Sequence, residues 1–146
     1  MSHRTYRLWL WITAVLGVLV FIFANSLQSG EASGKESGAL LAWLSRFFPF
    51  LTHHLLRKLA HFCEYALLGG ILAFAPVLLP VSARRAYLLA FFFGIAVSLL
   101  DEGIQIFVPG RGASFTDVLI DSTGYLSALL LVLLVCYMMA KKGEKT

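Results

Sequence analysis

Four stretches of the chain are almost continuously apolar, and short polar segments separate them. Residues 8–24, 87–107 and 118–140 are each long enough, as helices, to cross about 30 Å of hydrocarbon. Residues 59–79 do so when His61 and Glu64 are taken as residents of the first turns. The pattern predicts an all-α integral membrane four-helix bundle, one domain over residues 1–146. The first connection divides in two. Residues 25–38 are rich in Ser, Gly, Glu and Lys without an apolar period and read as a polar outer loop. Residues 39–51 carry Trp43, Phe47, Phe48 and Phe50, are too short to span, and meet Pro49. They read as an amphipathic segment lying in the interface. Arg84 and Arg85 fall in a short turn after Pro80, and Pro109-Gly110 marks a tight turn in which Gly takes positive φ.

Composition supports this class. With 59% hydrophobic and 14% charged residues and a mean hydropathy of +0.80, a soluble domain is excluded, and 146 residues leave no room for a second bundle. The formal charge is +4, and the placement of Lys and Arg sets an orientation. With the N-terminus in the cytoplasm, Arg4, Arg7, Arg84, Arg85, Lys141, Lys142 and Lys145 lie inside, and Lys35, Arg46, Arg57, Lys58 and Arg111 outside. Both termini are then cytoplasmic. Of the acids, only Glu144 falls inside. The basic excess therefore serves lipid headgroups and gives no sign of nucleic-acid binding. A cleaved signal peptide is the rival reading of residues 8–24, set aside for want of a clean cleavage site. Cys63 and Cys136 lie near opposite membrane faces, too far apart for a disulfide, and read as buried thiols. Trp9, Trp11, Trp43 and Tyr87 read as interfacial anchors.

The chemistry sits in the ionisable residues placed inside or at one end of the apolar runs. One charge at the centre of an inserted helix costs about 2.5–3.5 kcal/mol, so these groups must be paired, hydrated or bound to something. Helical spacing brings them onto shared faces. Arg57, His61 and Glu64 fall within one arc, as do Lys58, His61 and Tyr65; Asp101 and Gln105 are a turn apart; Asp117, Asp121 and Gly124 share a face. Ala90, Gly94 and Ser98 form a small-residue track toward Glu102, so three helices can converge in the outer leaflet.

Each residue has a bland reading beside the functional one. His61 is a proton acceptor or a metal ligand, or simply a hydrogen-bonded partner of a facing carboxylate. Asp101 and Glu102, being adjacent, diverge by about 100°, so only one is expected to face a given partner, and Glu102 is the choice for the buried one. Asp117 suits the first turn of a helix through the dipole alone. Arg111 either pairs with Asp117 or Glu102 or presents its fork to a phosphate or carboxylate. No metal ligand set and no cofactor is read from these spacings, and G-x-S-x-G, H-E-x-x-H and P-loop patterns are absent.

The same residues carry a resemblance. Arg57-Lys58-Leu59-Ala60-His61-Phe62-Cys63-Glu64-Tyr65, then Asp101-Glu102-Gly103-Ile104-Gln105, then Pro109-Gly110-Arg111 and Asp117 resemble the VanZ-like family of small bacterial membrane proteins, with Ser26 and Gln28 as a weaker element. Where this chain has Asp121 the family usually shows asparagine, so no role is carried to that position. The resemblance implies a four-helix protein of the bacterial cytoplasmic membrane, and a link with resistance to the lipoglycopeptide teicoplanin, but no reaction. Three functions compete. The first is binding or shielding of an anionic lipid-linked envelope molecule or a lipoglycopeptide. The second is an enzyme with His61, Glu64 and Glu102 as catalytic candidates and Arg57, Lys58, Tyr65, Asp101, Gln105, Arg111 and Asp117 around the ligand. The third is proton- or metal-linked transport, weakened because no charged path leads inward. Membrane lipids are the expected partners.

Overall fold

The computed structural model describes residues 2–143, and within them the chain is helical throughout its regular structure, with no strand. The elements are α1 (His3–Ser26), α2 (Gly30–Leu44), α3 (His53–Leu72), α4 (Ala75–Leu78), α5 (Ala83–Gln105) and α6 (Phe115–Gly143). Four segments are long and apolar enough to cross a membrane: α1, α3 continued through α4 to Leu78, α5 and α6. The second departs from a single helix at Ala73 and Phe74, just before Pro76 in the first turn of α4. Glu144 and Lys145, two charges used to orient the chain, lie outside the described residues.

Side-chain contacts set the helix directions. The end of α1 meets the end of α5 through Ser26 and Asp101, while the starts of α3 and α6 meet through Arg57 and Asp117. Thus α1 and α5 run one way, and α3 and α6 the other. The core joins Val15, Val18 and Ile22 of α1, Tyr65, Leu68 and Leu72 of α3, Val97 of α5, and Tyr125 and Leu129 of α6. Leu16, Val20, Leu131 and Met139 are exposed, as suits a lipid-facing surface. Because lipid is as apolar as leucine, close backbone approach takes over from hydrophobic burial as the packing device. On α3, Gly69 has no room for a Cβ against the Tyr125 carbonyl; on α6, Gly124 has none against the Phe62 carbonyl. The Tyr125 ring lies where a Cβ on Gly94 would come within 2.7 Å of it, and its hydroxyl donates to the Ala90 carbonyl.

Three expectations change. Residues 25–38 do not form a loop throughout, because α2 begins at Gly30. Ser29 accepts from the Ala32 N–H, Glu31 pairs with Lys35 at 2.8 Å, and the Gly30 N–H donates to the Pro109 carbonyl, so caps and tertiary ties supply what an apolar period does not. Arg84 and Arg85 belong to the first turn of α5, capped by Ser82, rather than to a free turn. Both cysteines are free and exposed on the bundle's outer surface. Trp11 does more than anchor: its indole N–H donates to the Ile71 carbonyl at 2.8 Å and ties α1 to the end of α3. Gly110 takes φ 74°, as the Pro-Gly turn predicts.

Candidate functional site

Four helices deliver polar side chains to one end of the bundle. α3 contributes His61, whose Nδ1 lies 3.3 Å from Asp121 Oδ1 of α6 and 3.7 Å from Asp101 Oδ2 of α5. Asp101 accepts from the Ser26 hydroxyl through Oδ1 and from Gln105 Nε2 at 3.3 Å through Oδ2. Asp121 accepts from the Ser98 hydroxyl through Oδ2 at 2.9 Å. Glu102 accepts the Ser114 N–H through Oε2 at 2.6 Å, which fastens the segment between α5 and α6 to the end of α5. All four are buried, with Asp101 and Asp121 at 0% exposure. One ligand-type atom from each of His61, Asp101, Glu102 and Asp121 lies within 4.8 Å of the others.

The cations of this region are used elsewhere. Arg57 Nη2 lies 3.3 Å from Asp117 Oδ2, and Lys58 Nζ lies 3.9 Å from Asp117 Oδ1. Arg111 donates to main-chain carbonyls, through Nε to Gln28 and through Nη2 to Asn25, each at 3.3 Å. Burial, with the Arg57 guanidinium nearby, lowers the Arg111 pKa from its ordinary value, while the carboxylates of Asp101, Glu64 and Glu102 oppose that shift. Glu64 accepts from Asn25 Nδ2 at 2.8 Å. Tyr65 is wholly buried, and its hydroxyl has no hydrogen-bond partner.

A cavity of about 240 Å³ opens beside this cluster, lined by Asn25, Glu36, Arg57, His61, Glu64 and Arg111. An adjoining cavity of about 490 Å³ shares Arg57 and Arg111 and continues between α2 and α3 past His53 and His54. Away from this end the buried core is apolar, and every buried charged side chain among the described residues belongs to the polar end.

The expected convergence occurs, with different partners. His61, Asp101, Glu102, Gln105 and Asp117 are all brought to the polar end. Asp101 and Glu102 are both buried, against the expectation that Glu102 alone would be. Their divergence points Asp101 toward α1 and α3 and Glu102 toward Ser114, so α5 is flanked on both sides. Arg111 is not paired with Asp117 or Glu102, since Arg57 and Lys58 reach Asp117 first. Asp117 is thus a buried ion-pair member as well as a first-turn acid. Asp121, to which no role was carried, lies at the centre. Asn25 and Ser98 were not read as site residues, and a metal was considered at His61 alone, with no ligand set around it. Ser98 already stood on the small-residue track, but a lone Asn after a span gives no signal, and ligands drawn from three helices leave no local spacing to recognise.

No curated protein and no solved structure matches this chain. The family model described as VanZ/LLP1 matches residues 10–137, which takes in the two middle spans, most of the first and last, and every residue of the polar end. The chain is a multi-pass membrane protein that belongs to the VanZ/LLP1 family.

Proposed function

We propose that this protein acts in the bacterial cytoplasmic membrane and binds or shields an anionic envelope amphiphile, a lipid-linked precursor or a lipoglycopeptide of the teicoplanin type, through the cleft beside α2. One observation carries the reading: Arg57 and Arg111 line both adjoining cavities, with His61 and Glu64 on the wall of the smaller one. Guanidinium groups in a partly dry cleft are suited to the fork geometry of a phosphate or carboxylate. The volumes suit a headgroup rather than a whole glycopeptide. Exposed Trp43, Phe47, Phe48 and Phe50 follow at the end of α2, apolar and aromatic as an interfacial segment should be, and can carry the tail. The positive-inside count supports an orientation with this end outside and both termini in the cytoplasm. Transport is disfavoured, since among the described residues the rest of the buried core carries no charged side chain.

The enzyme reading keeps one specific support. His61 Nδ1, Glu102 Oε1 and Asp121 Oδ1 are buried without hydrogen-bond partners, a state common to groups held for chemistry. Native mass spectrometry of the purified protein with phosphatidic acid or phosphatidylcholine tests the binding reading. Wild type should retain phosphatidic acid preferentially, and Arg111→Ala should lose about tenfold in affinity, the worth of one charge-assisted hydrogen bond. Equal retention of the two lipids by wild type would reject the proposal. Time-dependent loss of the phosphate from the probe by wild type and not by His61→Ala would move the assignment to the enzyme.

A further inference from the structure

The geometry points to a divalent metal site formed by His61, Asp101, Glu102 and Asp121, taking a borderline cation of the Zn²⁺ or Mn²⁺ class. This holds whether or not the cleft takes a lipid. Three carboxylates and one imidazole are gathered within 4.8 Å at a buried position, and no Lys or Arg pairs with any of them among the described residues. Like charges this close in a desolvated site oppose their joint ionisation, and a dication relieves that directly.

The unpartnered atoms give the second, independent observation. His61 Nδ1 and Asp121 Oδ1 are 3.3 Å apart, an ion-pair distance without hydrogen-bond geometry, and Glu102 Oε1 has no hydrogen-bond partner. Their residues are 6%, 0% and 3% exposed, so water does not serve them from outside. Two ligands about 2.1 Å from a tetrahedral ion lie about 3.4 Å apart. The 3.3 Å and 3.7 Å separations of His61 Nδ1 from Asp121 and Asp101 bracket that edge. In an octahedral ion, ligands on opposite sides at about 2.1 Å reach about 4.2 Å, so the 4.8 Å span closes with side-chain adjustment alone.

Outer contacts also fit. Donors hold Asp121 Oδ2 through Ser98, Glu102 Oε2 through the Ser114 N–H, and both oxygens of Asp101, Oδ1 through Ser26 and Oδ2 through Gln105 at 3.3 Å. That leaves Asp121 Oδ1 and Glu102 Oε1 free to face the ion, the division of labour by which outer hydrogen bonds orient metal ligands. An imidazole with carboxylates favours Zn²⁺ or Mn²⁺ over Ca²⁺, which takes oxygen alone, and over Cu(I), which takes sulfur. His61 also lines the smaller cavity, so the ion would stand at the wall of the cleft.

Equilibrium dialysis of the full chain in detergent, stripped with EDTA and exposed to ZnCl₂ or MnCl₂ alone, tests this with metal quantification as the readout. Wild type should bind one ion per chain saturably. Asp121→Asn and His61→Gln should weaken binding by more than a hundredfold, and Ser98→Ala, which keeps every ligand, by about tenfold. Glu31→Gln, on the exposed face of α2, should bind as wild type does. Absence of saturable binding to wild type overturns the inference, as does binding unchanged in Asp121→Asn. Should the ligand variants fail to fold, Ser98→Ala decides, and wild-type affinity there would overturn it too. None of these outcomes involves a lipid, so failure here and failure of the binding proposal remain distinct.

Discussion

Asp117 and Asp121 lie one turn apart on α6, and their neighbours make them different groups. Asp117 is 3% exposed and is met by Arg57 at 3.3 Å and Lys58 at 3.9 Å. Asp121 has a serine hydroxyl and an imidazole and no fixed cation. Removing one partner of a buried pair costs more than the pair is worth, because the remaining charge stays desolvated. Arg57→Ala should therefore lower stability by about 1–3 kcal/mol, at the lower end because Arg57 is partly exposed and Lys58 remains near. Thermal unfolding in detergent reads this, and Asp117→Asn in the same background should recover part of the loss, as a double-mutant cycle requires. An unchanged midpoint in Arg57→Ala would mean that the pair contributes nothing.

Glycine decides how elements meet. Gly69 and Gly70 are adjacent on α3 and indistinguishable in a hydropathy profile, yet only Gly69 abuts the backbone of α6. A methyl there, or on Gly124, must push α3 and α6 apart, whereas the space around Gly70 is open. Gly69→Ala and Gly124→Ala should each cost about 1–3 kcal/mol as overpacking, while Gly70→Ala should be neutral or slightly stabilising through helix propensity. Folded yield and thermal midpoint by fluorescence-detected size exclusion compare the three. Equal behaviour at positions 69 and 70 would contradict the close α3–α6 contact. The α2 helix is held differently, by caps and by the Gly30–Pro109 backbone bond, with no buried residue of its own.

At the scale of the molecule, polarity is segregated along the bundle axis. Among the described residues, one end holds eight buried polar or charged side chains, and the rest of the buried core is Val, Ile, Leu, Ala and Tyr. Such a molecule has a polar end that must face one side of the membrane, and the orientation proposed above, which rests on the Lys and Arg distribution, puts it outside. Single cysteines at Gly34 and Gly112, both with open surroundings, in a background lacking Cys63 and Cys136, should react with an impermeant maleimide on intact spheroplasts. A cysteine at Val81, at the opposite end, should react only after permeabilisation. The reverse pattern would invert the bundle and remove the envelope reading of the cleft.

The apolar runs alone determined the class, the four spans and the end at which charge collects, because bilayer partition is summed locally along a helix and needs no partner. The spacing of Asp117, Asp121 and Gly124 also determined that one face of the last helix would be approached closely, as Gly124 against Phe62 shows. Partner choice was decided elsewhere. Asp101 is buried because α1 and α3 flank it, Arg111 is turned to carbonyls because Arg57 and Lys58 already hold Asp117, and Asp121 meets His61 because α3 and α6 run side by side. Rotation of a helix about its axis and the identity of its neighbours have no signature in a single apolar segment. Only the packed bundle brings His61, Asp101, Glu102 and Asp121 together, since each carboxylate's environment is made by residues distant in the chain.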